Sequence, residues 1–295
     1  VWPCTVETGA GVTKRERESQ SLKKGNMRLR TTIVAAALAL ATALPNAQAS
    51  TIVMGFNANT LPPNDDGSTG LVSLGFSFNF FGTTYTQLYV NNNGNVTFDS
   101  PLFTYTPFPL LTTSRVIIAP FFADVDTRGS GSQPVTYGTG TFGGRDAFGV
   151  NWINVGYYNQ GTDKLNSFQL LLVDRSDIAA GDADIYFNYG SIQWETGSAS
   201  GGSGGLGGSS ARAGYSNGVN AAFELPGSAV NGAFLDGGPN ALNTSSNINV
   251  PGRWLFQVRN GAVVNPDPTP VPEPASLALL GLGLAGLALA RRRRV

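Results

Sequence analysis

The sequence predicts an all-β body, most simply a two-sheet β-sandwich, on three observations. Apolar residues alternate with polar ones in short runs such as Phe76, Phe78 and Phe80, the two-residue period of a strand with one buried face. Turn-forming Gly, Asn, Ser and Thr crowd between those runs, and Lys164 is the single lysine between Ser50 and Pro266, a composition poor in helix formers. No convincing amphipathic helix pattern interrupts the strands. Sheets with one apolar face each bury it by packing on one another. A closed barrel has the same periodicity, so both topologies stay open at this point.

In chain order, Thr51–Asn57 reads as a short first strand and Leu61–Gly67, with two prolines and two aspartates, as a turn cluster. Gly75–Phe81 places Phe76, Phe78 and Phe80 on one face, and Tyr85–Val90 follows as its neighbour. Asn91-Asn92-Asn93-Gly94 is a hairpin signal, because Asn and Gly tolerate the positive φ of tight turns, and Asn95–Phe98 returns. The prolines of Pro101–Leu111 exclude a central strand and send the segment across an edge. Val116–Arg128 (V-I-I-A-P-F-F-A-D-V-D-T-R) is a buried strand that surfaces into carboxylates. Its expected layout has Val116–Ile118 in the core, Pro120 at an edge or bend, and Asp124, Asp126 and Arg128 fixing the exit loop.

Further on, Val135–Tyr137 and Thr141–Phe142 suggest a hairpin about Gly138. Phe148, Val150 and Trp152 alternate in a strand that ends in polar Asn154–Lys164. Phe168–Val173 is apolar on both faces apart from Gln169, as in a central covered strand. Ile185, Phe187 and Tyr189 form another face after the polar turn Asp174–Asp182. Gly197–Ser210 is nearly all Gly and Ser and reads as a mobile loop, or as an interdomain linker. Ala211–Tyr215 and Arg253–Arg259 are strands, with Phe223–Gly227 and Leu235–Asn249 as irregular cover.

Composition narrows the chemistry. The chain has no histidine, and its one cysteine, Cys4, lies upstream of Met27. That removes Ser-His-Asp triads, His-ligated zinc, thiol nucleophiles and disulfides from the body, leaving paired carboxylates as a hydrolytic option. From Ser50 to Pro266 there are 8 basic and 14 acidic residues, a net −6. A mildly acidic body is a poor partner for nucleic acid or anionic lipid.

The ends carry targeting information. Met27 opens a signal peptide over residues 27–49, with Arg28 and Arg30, the apolar run Ile33–Leu44, and Ala47-Gln48-Ala49 as cleavage site. Translation is therefore expected to begin at Met27, with residues 1–26 an over-extended, disordered start; a true basic leader is the alternative. The body covers residues 50–262, followed by a Pro-rich linker at 263–271. Pro272-Glu273-Pro274, the apolar run Ala275–Ala290 and Arg291, Arg292, Arg293 and Arg294 close the chain. Sixteen helical residues span roughly 24 Å, short of a ~30 Å hydrocarbon core without local thinning. The arginines favour a cytoplasmic C-terminus and a body outside.

The segment 272–295 resembles the PEP-CTERM sorting signal in its triplet, short hydrophobic helix and terminal arginines. An ordinary tail anchor explains the helix and arginines but not the triplet. The resemblance implies export in a Gram-negative bacterium and an intermediate held in the inner membrane through residues 275–290. Processing by an exosortase would then release the chain to the cell surface or exopolysaccharide matrix.

The body resembles the NIDO domain, the extracellular module named after nidogen, over about residues 74–258. The resemblance rests on Tyr89–Phe98, Ile118–Arg128, Val135–Gly138, Asn166–Val173, Ile185–Trp194, Ala213–Gly218 and Pro251–Phe256. In animal proteins this family is associated with cell–matrix adhesion, and it brings no catalytic residues with it. It implies an extracellular, non-enzymatic adhesion or matrix role.

Three candidate sites follow from the residues themselves. Asp124 and Asp126, with Asp99 and Asn91–Asn93 elsewhere, offer oxygens to Ca²⁺, but the pattern lacks the third acid and terminal Glu of a full calcium loop. The simpler reading has one aspartate capping a turn and pairing with Arg128, with no metal and no cofactor. Read as a glycosidase acid/base pair, the same two residues point one way along a strand about 7 Å apart. Trp152, Tyr157, Tyr158, Trp194, Tyr215 and Trp254 are candidate sugar-stacking aromatics, Tyr157-Tyr158 foremost, or simply core. The leading function is thus a secreted or surface-associated adhesion protein. An exopolysaccharide-binding module is second and a carboxylate-based envelope hydrolase a distant third.

Overall fold

The computed structural model describes residues 51–264. The expected leader, the expected signal peptide with Ala47 and Ala49, and the expected sorting segment with Pro272–Pro274, the 275–290 run and Arg291–Arg294 lie outside the described residues. In chain order the strands are β1 (Asn59–Thr60), β2 (Val72–Phe80), β3 (Thr83–Asn91), β4 (Asn95–Thr97), β5 (Val116–Phe122), β6 (Val125–Asp126) and β7 (Thr136–Phe142). They continue as β8 (Arg145–Tyr157), β9 (Gly161–Asp174), β10 (Ala183–Tyr189), β11 (Arg212–Asn217), β12 (Ala222–Glu224), β13 (Arg253–Arg259) and β14 (Ala262–Val264). One sheet has the order β1-β7-β8-β9-β10-β13-β14, with β6 also on β8; the other runs β12-β11-β5-β4-β3-β2. Every pairing between these strands is antiparallel.

The alternating residues do what their period predicts. Phe78 and Phe80 of β2, Val96 of β4, Ile118 and Phe121 of β5, Phe148, Val150 and Trp152 of β8, and Phe168, Leu170 and Leu172 of β9 share one core. Trp152 stacks on Phe168 at 5.2 Å and 12° between planes, and Phe121 meets Trp194 edge-on at 5.7 Å, geometries that suit the aromatic quadrupole. The Tyr189 hydroxyl donates to the Pro120 carbonyl at 2.7 Å and ties the sheets together.

Strands apolar on both faces are covered on both. Leu171 and Val173 of β9 pack outward against Phe56 and Ala147. Ile117, Ala119 and Phe122 of β5 pack outward against Leu102 and Leu110, so the proline-studded segment roofs the second sheet without joining it. Pro120 sits inside β5, not at an edge; the register of β11 against β5 shifts between Arg212 and Gly214, beside it, and that bulge absorbs the missing N–H donor.

Several boundaries differ from the sequence reading. Thr51–Asn57 is not a strand: it lies across a row of buried polar side chains on the first sheet. Asn151 Nδ2 donates to the Gly55 and Phe56 carbonyls, Gln169 bonds both the Val53 N–H and carbonyl, and Arg253 Nη2 donates to the Thr51 carbonyl. Asn151, Gln169, Asn188 and Arg253 are bonded side to side at 2.7–2.8 Å across four strands. β7 runs straight through Gly138 and turns instead at Gly143-Gly144. The polar stretch Asn154–Lys164 is mostly strand, because β8 and β9 form one long hairpin. β12 pairs with β11 where irregular cover was anticipated, and β14 extends the sheet into the expected linker. Among the described residues no helix is long and apolar enough to cross a membrane.

Candidate functional site

The site begins where β5 stops. β5 ends at Phe122 and β6 starts at Val125, so Asp124 stands in the break as the chain leaves one sheet for the other. The break is held by the asparagine turn between β3 and β4. Asn93 Oδ1 accepts the Val125 N–H at 2.9 Å, and Asn92 Nδ2 donates to the Val125 carbonyl at 2.6 Å. Asn92 Nδ2 also donates to the Asp65 carbonyl, while Asn93 Nδ2 donates to Asp66 Oδ1 at 2.8 Å. Gly94 closes this turn at φ 73°, and a Cβ there would lie 1.7 Å from the Phe121 carbonyl oxygen. Only glycine fits that approach. Beneath it, Trp152 Nε1 donates to the Asn92 carbonyl at 2.9 Å.

Two further loops reach the same point. The Leu61–Gly67 turn docks through Asn64, whose backbone exchanges bonds with Thr127 and whose Oδ1 accepts the Gly67 N–H at 2.6 Å. The Gly/Ser run folds back on itself with bonds from Gly202 N to the Gly197 carbonyl and from Ser209 N to the Ser200 carbonyl. Gly197 passes so close that a Cβ would lie 2.3 Å from Asp124 Oδ2.

Asp126 and Asp124 have opposite surroundings. Asp126 is fully buried and takes a two-pronged grip from Arg128 (Nε–Oδ1 2.9 Å, Nη2–Oδ2 2.7 Å), plus the Arg128 and Gln160 N–H groups. Burial pushes its carboxyl up, but those donors outweigh burial and hold it below the usual range. Asp124 is 1% exposed and has only a long contact from Ser200 Oγ at 3.5 Å. Burial first, then the negative charges of Asp65, Asp66 and Asp126, push its carboxyl up to about 7. Asp65 rises to about 6 by burial and by repulsion from Asp126 and Asp66, although Arg128 reaches it at 3.0 Å. Asp66 rises as well, chiefly by burial.

These positions redistribute the sequence candidates. The Asp124/Asp126 pair is not a pair: the β5–β6 break sends the two carboxylates into separate networks, and the expected Arg128 partner is Asp126. Asp99 is bound to Arg115 at 3.3 Å, and Asn91–Asn93 are buried scaffold. Trp152, Tyr157, Trp194 and Tyr215 are buried, with Tyr157 hydrogen-bonded to Asp163 at 2.7 Å, so they are core and not a stacking face. Neither of two surface recesses of about 340 Å³ is lined by Asp124 or Asp126. The sequence reading missed Asp65 and Asp66, whose adjacency in a turn was the only signal. It also missed exposed Phe103 and Tyr105, which flank Thr104, the residue whose carbonyl accepts from Asn93 at 3.2 Å.

The fold and this loop end define an antiparallel β-sandwich module with an acid-rich face. Within that class the chain belongs to the nidogen-like domain family, whose model matches residues 86–141 and 135–260. Residues 270–294 match the PEP-CTERM protein-sorting motif. Among curated relatives, alpha-tectorin of Homo sapiens is 35% identical over 237 residues, covering 71% of this chain and 10% of the relative. Alpha-tectorin of Gallus gallus is 34% identical with the same coverage. Nidogen of Drosophila melanogaster is 33% identical over 224 residues, covering 67% of this chain and 16% of the relative. The chain thus spans only 10–16% of the length of these relatives. No solved structure matches.

Proposed function

We propose that this chain is an exported, surface- or matrix-associated protein that works by adhesion and not by catalysis. The observation that carries the reading is the joining of a nidogen-like body to a PEP-CTERM motif in one chain. The motif supports recognition by an exosortase through Pro272, Glu273 and Pro274, with residues 275–290 held in the inner membrane of a Gram-negative cell until processing. The family's association with cell–matrix adhesion supports binding to an extracellular matrix or exopolysaccharide component. Deleting Pro272–Val295 and fractionating cells tests the route: the body should leave the envelope fraction, and an unchanged distribution counts against an exosortase.

An exopolysaccharide-binding role is the second reading. Buried Tyr157 no longer supports it, whereas exposed Phe103 and Tyr105 beside the acidic loops do. Saccharide binding lost on Tyr105→Ala would favour it over protein-mediated adhesion. A hydrolase would have to use Asp65, Asp66 and Asp124, but Asp124 is too buried to meet a polymer's glycosidic oxygen. Polysaccharide turnover abolished by Asp124→Asn would overturn the non-enzymatic reading.

A further inference from the structure

We propose that Asp65, Asp66 and Asp124 form a Ca²⁺ site that locks together the loops around the β5–β6 break. One carboxylate oxygen from each of the three lies within 4.8 Å of the others. Such spacing suits oxygens converging on one ion, since two ligands each 2.3–2.6 Å from a shared Ca²⁺ are at most about 5 Å apart.

The second observation is independent of the clustering. Asp124 is 1% exposed, and its Oδ1 has no hydrogen-bond partner; Asp65 Oδ1 is likewise buried and unpartnered. Buried carboxylate oxygens are costly unless something positive or a donor meets them. Arg128 does not fill that role for the trio. Both its Nε and its Nη2 are engaged by Asp126, and it reaches only Asp65 Oδ2 at 3.0 Å. Four carboxylates, Asp65, Asp66, Asp124 and Asp126, therefore face one guanidinium.

The donors select the ion. All are hard carboxylate oxygens, which favours Ca²⁺ or Mg²⁺ over metals that prefer nitrogen or sulfur. Three carboxylates from two irregular loops, half-exposed on the Asp65 and Asp66 side, suit the flexible, partly hydrated shell of Ca²⁺ better than the strict octahedron of Mg²⁺. The site differs from the Asp124/Asp126 pairing read from the sequence, because Asp126 is saturated by Arg128 and Gln160.

The test uses the purified full chain stripped with EDTA. Calorimetric titration with CaCl₂ should give one site with Kd of about 10⁻⁴–10⁻³ M, the range of extracellular modules. Saturating Ca²⁺ should raise Tm by several degrees, and MgCl₂ should do so less. Asp124→Asn and Asp66→Asn should each weaken binding tenfold or more. Their Tm in EDTA should equal or exceed that of the parent, since each removes a repelled charge. Asp99→Asn, at a carboxylate bound to Arg115, should bind as the parent does. Absence of both heat and Tm shift at 10 mM CaCl₂ (about 10 Kd or more) overturns the proposal. So does a Ca²⁺ response that survives Asp124→Asn and Asp66→Asn alike.

Discussion

In chelator, the acidic loops should make stability fall as pH rises across the mildly acidic range, opposite to the usual behaviour of paired carboxylates. Asp124 is raised in the folded chain from 3.8 to about 7 and Asp65 from 3.8 to about 6. Between about pH 4 and about pH 7 the folded chain holds protons that the unfolded chain has released, so the folded state loses stability through that window. Asp126 has the opposite sign: its carboxyl is lowered, so its contribution is present above 3.8 and disappears as pH falls below that value. A stability maximum should therefore lie near pH 4–5. For Asp124 alone, 3.8 to about 7 corresponds to roughly 4 kcal/mol. Asp65 and Asp124 titrate as a coupled pair, so their effects do not add. At about 2–4 °C per kcal/mol for a body of this size, Tm should drop by roughly 10 °C from pH 4.5 to pH 7.5. Thermal unfolding followed by circular dichroism in EDTA measures it, with Asp124→Asn removing most of the slope. A flat profile, or the same slope in Asp124→Asn, would refute the reasoning.

Gly94→Ala should cost about 3 kcal/mol or more in urea unfolding, since it combines a positive φ with overlap on the Phe121 carbonyl. Gln169→Leu should cost about 2–4 kcal/mol by stranding the Val53 N–H and Asn188 Nδ2; hydrogen exchange should speed up first in Thr51–Phe56. Asp184→Ala removes a buried carboxylate held by Arg175 at 2.7 Å and Arg259 at 2.5 Å. A loss of about 3 kcal/mol is expected, read as a lower urea midpoint.

The strands were legible because their apolar period depends on local sequence alone. Phe78 and Phe80, the Phe148–Trp152 face and the doubly covered Phe168–Val173 all lie where their spacing puts them. Failures came where a distant partner decides. Thr51–Asn57 looks like a strand, but its backbone is bonded by side chains of Asn151, Gln169 and Arg253, a solution that no local pattern announces. Pro120 looks like an edge or bend residue, yet it lies inside β5, where an extra β5 residue opposite Arg212–Gly214 of β11, more than ninety residues on in the chain, makes room for it. Gly138 looks like a turn, but it lies in β7 with Ala58 packed against it, a Cβ there falling 3.2 Å from the Ala58 Cβ.

The candidate site was half legible for a reason rooted in the topology. Asp124 was visible because a buried strand rarely ends in a carboxylate without purpose; its companions were not, because they arrive on other crossings. The chain passes between the sheets at residues 61–71, 123–124, 190–211 and 225–252, and the first three of these passages meet at the site. All three passages touch: Asn64 bonds Thr127, Asp65 and Asp66 gather at Asp124, and Gly197 abuts its carboxylate. A crossing leaves both ladders and strands backbone groups, which explains why Asn64, Asn92, Asn93 and Thr127 cluster here as substitute partners. Those amides and hydroxyls satisfy the backbone but bring no positive charge. Two crossings that each needed only polar cover have instead brought three carboxylates together, and Arg128 is spent on a fourth. The resulting excess of negative charge belongs to the way the sheets are connected, and a divalent cation placed there would bind two of the crossings to each other.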